Sequence, residues 1–257
     1  MDSTSSGPKN ARPRAGREYV WPSTPPYELA VPSVTSILAA GLPKPALQYW
    51  AARSVAEFAY DHADGWRGLP REAAIDLLKR APYRATSSRA GAGSAVHQAI
   101  DRHLKQVSGN ALADEERGLY EAALAFLSNY EPDVLHSEVT VYSRRHLYAG
   151  TADILARIGG VPTVIDFKTG KAVYPEYAIQ LASYAFADFA ADGDRERPLD
   201  ELGPFRSGII VRLSSDGRYE AVRFRLDHDL FAVFLAAKAI HSYQRDAASY
   251  IETGAAA

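Results

Sequence analysis

The sequence predicts an α/β fold: a helix, three strands, a second helix and a further strand, preceded by a helical lobe. Three observations lead there. Two runs rich in Ile, Val, Leu and Thr flank Gly159-Gly160, and Gly-Gly is a favoured two-residue hairpin turn. Residues 137–143, Ser-Glu-Val-Thr-Val-Tyr-Ser, alternate as a strand just before that hairpin. Segments with helical periodicity lie on either side, at 91–106 and from Pro175 onward, and residues 207–213 and 218–226 form a later hairpin around Ser215-Asp216-Gly217.

The central hairpin carries the chemistry. With Ile158 opposite Val161, the register sets Asp153 opposite Asp166 and Thr151 opposite Lys168. Facing side chains lie roughly 4.5–5.5 Å apart at Cβ, where like charges destabilise. A shared divalent cation would relieve the two acids, because hard cations take oxygen ligands. Lys168 follows Asp166 by two residues and shares its face, while Ile165 and Phe167 point to the core.

Composition bounds the rest. The chain has 257 residues, 47% hydrophobic, with a net charge of -2. That suits one domain or one domain with an added lobe. A nucleic-acid site must then rely on local basic clusters and bound metal rather than bulk charge. There are no cysteines, which excludes disulfides, zinc–cysteine sites and an all-cysteine iron–sulphur cluster. No apolar run reaches membrane-spanning length and no signal peptide is visible, so a soluble cytoplasmic protein is expected.

Residues 1–28 are basic and rich in Ser, Pro and Gly, and read as a disordered arm. Residues 29–90 form the helical lobe. Its first helix opens at Val31-Pro32-Ser33-Val34-Thr35, with Ser33 or Thr35 as N-cap; further helices are expected at 46–60 and 71–80. A helix starting near 91–94 and running through Gln106 brings Gly93, His97 and Asp101 onto one face. Another spans 114–128, with Leu119, Ala122, Ala123, Phe126 and Leu127 inward. After the hairpin, a helix beginning at Pro175 sets Gln180 and Tyr184 one turn apart. Residues 193–204 read as a loop, and 228–251 as a final helix with Phe231, Phe234, Leu235 and Ile240 inward. Residues 91–251 form the core domain and 252–257 a tail.

Taken together, Gly93-x-x-x-His97, Asp153, Asp166-Phe167-Lys168 and Gln180-x-x-x-Tyr184 resemble the PD-(D/E)XK nuclease superfamily, in its RecB-like or phage-type exonuclease branch. The Pro-Ser-Val-Thr segment is similar to one near the start of some phage exonucleases and of the mitochondrial genome-maintenance exonuclease. The resemblance covers about residues 90–226. It implies a restriction-endonuclease-like αβββαβ core with a mixed central sheet flanked by helices.

It further implies a metal-dependent deoxyribonuclease, an exonuclease acting in replication, recombination or repair. His97, Asp153, Asp166 and the backbone carbonyl of Phe167 would hold Mg²⁺ or Mn²⁺, without the iron–sulphur cluster that several relatives carry. Lys168 would act on the attacking water or the transition state, with Gln180 and Tyr184 orienting the site and contacting DNA. Glu138 has two readings, a further metal contact or an exposed strand glutamate. Arg84, Arg89, Arg144, Arg145 and Lys171 are candidate contacts to the DNA backbone, or solvated charges. The implied partner is DNA, single-stranded or at duplex ends, together with a recombination or replication protein. The competing readings are a non-cleaving DNA- or partner-binding module on the same fold and a structure-specific endonuclease.

Overall fold

In the computed structural model, residues 10–11, 18–20, 30–108, 112–192 and 195–250 are described, without the side chains of 10, 11, 20, 85–92, 192 and 195. Three short strands open the chain, β1 (Asn10–Ala11), β2 (Glu18–Val20) and β3 (Ala30–Pro32), in a small antiparallel sheet. Five helices follow: α1 (Val34–Gly41), α2 (Pro45–Asp61), α3 (Ala63–Trp66), α4 (Arg71–Lys79) and α5 (Ala81–Leu104). Then come α6 (Asp114–Tyr130), β4 (Asp133–Ser143), β5 (Tyr148–Ile158), β6 (Val161–Lys168) and α7 (Glu176–Ala185). The chain continues through β7 (Phe189–Asp192), β8 (Arg195–Pro198), α8 (Leu199–Leu202), β9 (Ser207–Leu213), β10 (Tyr219–Arg225) and α9 (His228–Asp246).

The main sheet has seven strands in the order β10-β9-β6-β5-β4-β7-β8. It is mixed, because β6 and β9 pair in parallel while the other neighbours are antiparallel. A parallel pair needs a crossover, and α7 lies within the connection from β6 to β9. Helices cover both faces. Val164, Leu155 and Ile210 pack with Leu181 of α7, Ile37 of α1 and Phe234 of α9. Ile154, Ile165 and Ile209 pack on the other face with Val96 and Ile100 of α5 and Phe126 of α6. This is the expected α/β architecture.

The hairpin turn behaves as its glycines dictate. Gly159 and Gly160 have φ of +56° and +80°, the pair of positive values a type I′ turn requires. The register runs from Ile158↔Val161 to Ile154↔Ile165. Beyond that point the strands part: Thr151 pairs with Thr140 of β4, and Lys168 pairs with Arg212 of β9. The expected Thr151–Lys168 pair is therefore not made; β4 and β9 use the opposite edges of β5 and β6, so their pairings are not what parts the two strands.

Several boundaries differ from expectation. Helix α5 starts at Ala81, some ten residues early, with Pro82 in its first turn, where the missing N–H costs nothing. Its glycines do not break it. Gly93 instead permits a close approach, since a Cβ there would lie 3.3 Å from Thr169 Oγ1. Residues 189–192, read as a continuing helix, form the edge strand β7, and the expected loop that follows contains β8 and α8. Ile240 of α9 is 45% exposed rather than inward. Part of the expected disordered arm is ordered: Tyr19 is 5% exposed, bonds Thr151 Oγ1 through its hydroxyl at 3.0 Å, and packs with Tyr142 and Phe189. Residues 1–9, 12–17 and 21–28 of that arm and the 252–257 tail lie outside the described residues. Among the described residues no helix is long and apolar enough to cross a membrane.

Candidate metal centre

Three neighbouring strands and two helices build the site. Helix α5 presents His97, β4 presents Glu138 and β5 presents Asp153. His97 Nδ1 lies 3.3 Å from Asp153 Oδ1 and 3.6 Å from Glu138 Oε1. One ligand atom from each of the three falls within 4.8 Å of the others. These residues, with Ile100, Asp101, Leu104, Ser137 and Phe167, line a cavity of about 10 Å³. That is close to the space of a single water molecule or ion.

On β6, Asp166 and Lys168 form the second half. Lys168 Nζ meets Asp166 Oδ2 at 2.5 Å and lies 5.0 Å from the Tyr177 ring centroid. Gln180 Nε2 donates to Asp166 Oδ1 at 3.0 Å and to the Tyr184 hydroxyl at 2.9 Å. The backbone joins the halves, since the Phe167 N–H donates to Asp153 Oδ2 at 2.7 Å. The two aspartates thus stand one step past the last β5–β6 pair, but they are held from different sides. Asp153 is held by His97 of α5 and Asp166 by Gln180 of α7, and the two carboxyls still act on each other across the site. Asp166 lies outside the His97–Glu138–Asp153 donor group.

Electrostatics couples the halves. For His97, burial is the strongest influence and disfavours its charge, yet Asp153, Glu138 and Asp166 together overcome it and push the pKa up to about 11. Burial likewise works to raise Asp153, but His97, Lys168 and the Phe167 N–H hold it below its ordinary value. Asp166 is pushed up to about 6, mainly by burial with Asp153 adding, against the pull of Lys168 and His97. Lys168 is held above its ordinary value: burial opposes its charge, but Asp166 and Asp153 prevail.

The donor set fits a hard divalent cation. Mg²⁺ sits about 2.0–2.1 Å from its ligands in an octahedron, so its ligand atoms stand roughly 3–4.2 Å apart. The two measured separations of 3.3 and 3.6 Å fall in that range. The two carboxylates are the oxygen donors such ions prefer, and the imidazole is the softer donor of the set.

The other candidates are dispersed. Phe167 enters the site through its N–H, which donates to Asp153. Tyr184 is 2% exposed, which leaves no ring surface for DNA and corrects its expected contact; it supports Gln180 instead. Arg144 pairs with Glu196 and stacks over Phe189 at 4.9 Å. It lies six residues past Glu138, about 20 Å along a strand, so neither it nor the exposed Arg145 joins the site. Arg84 is exposed, 5.6 Å from the Phe58 ring centroid, and the Arg89 side chain lies outside the described residues. Lys171 lines an open groove of about 520 Å³ with Tyr174, Arg212 and Phe224. Sequence reasoning missed Tyr177. The available signal was its spacing, one turn before Gln180 on the face that also carries Tyr184.

No protein-family model matches the chain, and no match was found among curated proteins. Among solved structures, the chain resembles LHK-Exo in complex with dAMP at 17% identity and a TM-score of 0.34. It resembles an alkaline exonuclease (LHK-Exo) from Laribacter hongkongensis at 14% identity and a TM-score of 0.35. Each match spans 62% of this chain and 86% of the other. A third likeness, to SSO0001, has 13% identity and a TM-score of 0.34, covering 75% of this chain and 70% of that one.

Proposed function

We propose that the chain is a Mg²⁺- or Mn²⁺-dependent deoxyribonuclease of RecB-like exonuclease type, hydrolysing phosphodiester bonds of DNA in replication, recombination or repair. The observation that supports this reading is the closure of His97, Glu138 and Asp153 into one ion-sized donor group beside the Asp166–Lys168 pair. In this reading His97, Glu138 and Asp153 hold the ion, with Asp166 at its margin. A bound ion would polarise the scissile phosphate and lower the pKa of a coordinated water.

The chain's own groups supply the rest. Lys168, held protonated by Asp166 and Asp153, is suited to orient the water and offset charge on the phosphorane rather than to accept a proton. Gln180, steadied by Tyr184, fixes the Asp166 carboxylate. The groove of Lys171, Tyr174 and Arg212 lies beside Lys168, because Arg212 is its β9 partner, and offers a path for the flanking strand.

The test is cleavage of linear, circular and single-stranded DNA by the purified protein with Mn²⁺ or Mg²⁺. Loss of cleavage is expected in Asp166→Ala and Lys168→Ala. Full cleavage by both variants would exclude this site.

A further inference from the structure

Ser137 and Glu138 are consecutive residues of β4, yet both reach α5. Ser137 Oγ donates to Asp101 Oδ1 at 2.6 Å, and Glu138 Oε1 lies 3.6 Å from His97 Nδ1. Regular alternation along a strand would send one of them to the opposite face. The register is the same on either side, with Ser137 opposite Ile154 and Val139 opposite Ala152, so no residue has been inserted between those two pairs. The break lies in the backbone of Glu138, whose φ is +47°. A non-glycine residue in that region is strained and persists only where its surroundings hold it.

Asp101 is placed to do the holding. It lies one turn after His97 on α5 and lines the same small cavity. Lys105 Nζ, 2.7 Å away, pairs with its carboxylate from the solvent side. Val139 and Val141 pack on the opposite face, so alternation already sets Glu138 toward α5; Ser137 is the residue out of alternation, and its bond to Asp101 holds it on the α5 side and with it the kink at Glu138.

We propose that Asp101, acting through Ser137, is a positioning residue that locks Glu138 in this conformation and so preassembles the His97–Glu138–Asp153 donor set for a divalent cation. The proposal rests on the metal-binding reading above. Groups that orient metal ligands from behind typically change affinity 10–100-fold when removed.

The experiment is calorimetric titration of Mn²⁺ into DNA-free protein, paired with a thermal melt. In Ser137→Ala and Asp101→Ala the Mn²⁺ dissociation constant should rise about 10–100-fold. Ser137→Thr, which keeps the hydroxyl, should restore it, and the melt separates this effect from general unfolding. Lys105→Ala leaves the Ser137–Asp101 bond in place and should change affinity less than twofold. An unchanged affinity in Ser137→Ala, or an equal loss in Lys105→Ala, overturns the proposal. If Asp153→Ala abolishes binding while Ser137→Ala does not, the positioning role falls and the metal site stands. Wild-type protein that takes up no Mn²⁺ removes both.

Discussion

A cation taken up at the proposed site would displace a proton, and the number displaced follows from the charge states of His97 and Asp166. In the metal-free protein His97 lies between Asp153 and Glu138 with a pKa of about 11, so it is an imidazolium throughout the neutral range. A ligating histidine must be neutral. Binding at pH 8 should therefore release about one proton per ion, and affinity should weaken about tenfold for each unit the pH is lowered toward 7. Asp166, with a pKa of about 6, is half protonated at pH 6. If the ion holds it ionised, release there should rise to about 1.5 protons. Asp153, depressed below its ordinary value, contributes none. Calorimetric titration of Mn²⁺ in two buffers of different ionisation enthalpy counts these protons directly. His97→Ala should bind more weakly and release almost none at pH 8. A wild-type release near zero at pH 8 would refute the reasoning, since the imidazolium would then still be in place with the ion bound.

Three further outcomes are expected. Lys168→Met should lower cleavage by at least about 100-fold while changing Mn²⁺ affinity little, because its contact is with Asp166 rather than with the donor group; a cleavage rate within tenfold of wild type in a nuclease assay would count against its role. Gln180→Leu strands Asp166 Oδ1 and the Tyr184 hydroxyl in a buried setting, a loss of about 1–3 kcal/mol, read as a fall in Tm of about 2–4 °C per kcal/mol; a Tm change below about 1 °C would show those groups find other partners. Gly118→Ala would set a Cβ 1.8 Å from the Ser215 carbonyl oxygen, so the turn must move, at about 1–3 kcal/mol, whereas Gly65→Ala, with nothing within 4 Å, should be neutral or slightly stabilising in the same melt.

Where a local rule governs the chain, the sequence was readable. Gly159-Gly160 permits one tight turn, and that turn carried the register correctly as far as Ile154 and Ile165. The spacings that put Gln180 beside Tyr184, and Gly93 one turn from His97, are helix geometry and needed no tertiary knowledge. What lay beyond reach was set by packing. A glutamate in the left-handed region is not signalled by residue type, so the kink at Glu138 that lets Ser137 join it on the α5 side had no local trace. The β5–β6 pairing stops at Ile154 and Ile165, which the turn alone did not signal, while Asp166 follows Val164 onto the α7 side by ordinary alternation. Residues 189–192 are Ala-rich and continue a helical composition, yet pairing of Phe189 and Ala190 with β4 overrides that preference.

The small leading sheet has a practical consequence. Tyr19 and Val31 cap Tyr142, Ala149 and Phe189 on the outer part of the main sheet. A shortened protein beginning at residue 30 would strip away Tyr19 and wet two aromatic rings that are otherwise sheltered. Such a version should clump or express poorly even with every metal-binding group intact, so trimming for crystallisation is best stopped ahead of Glu18.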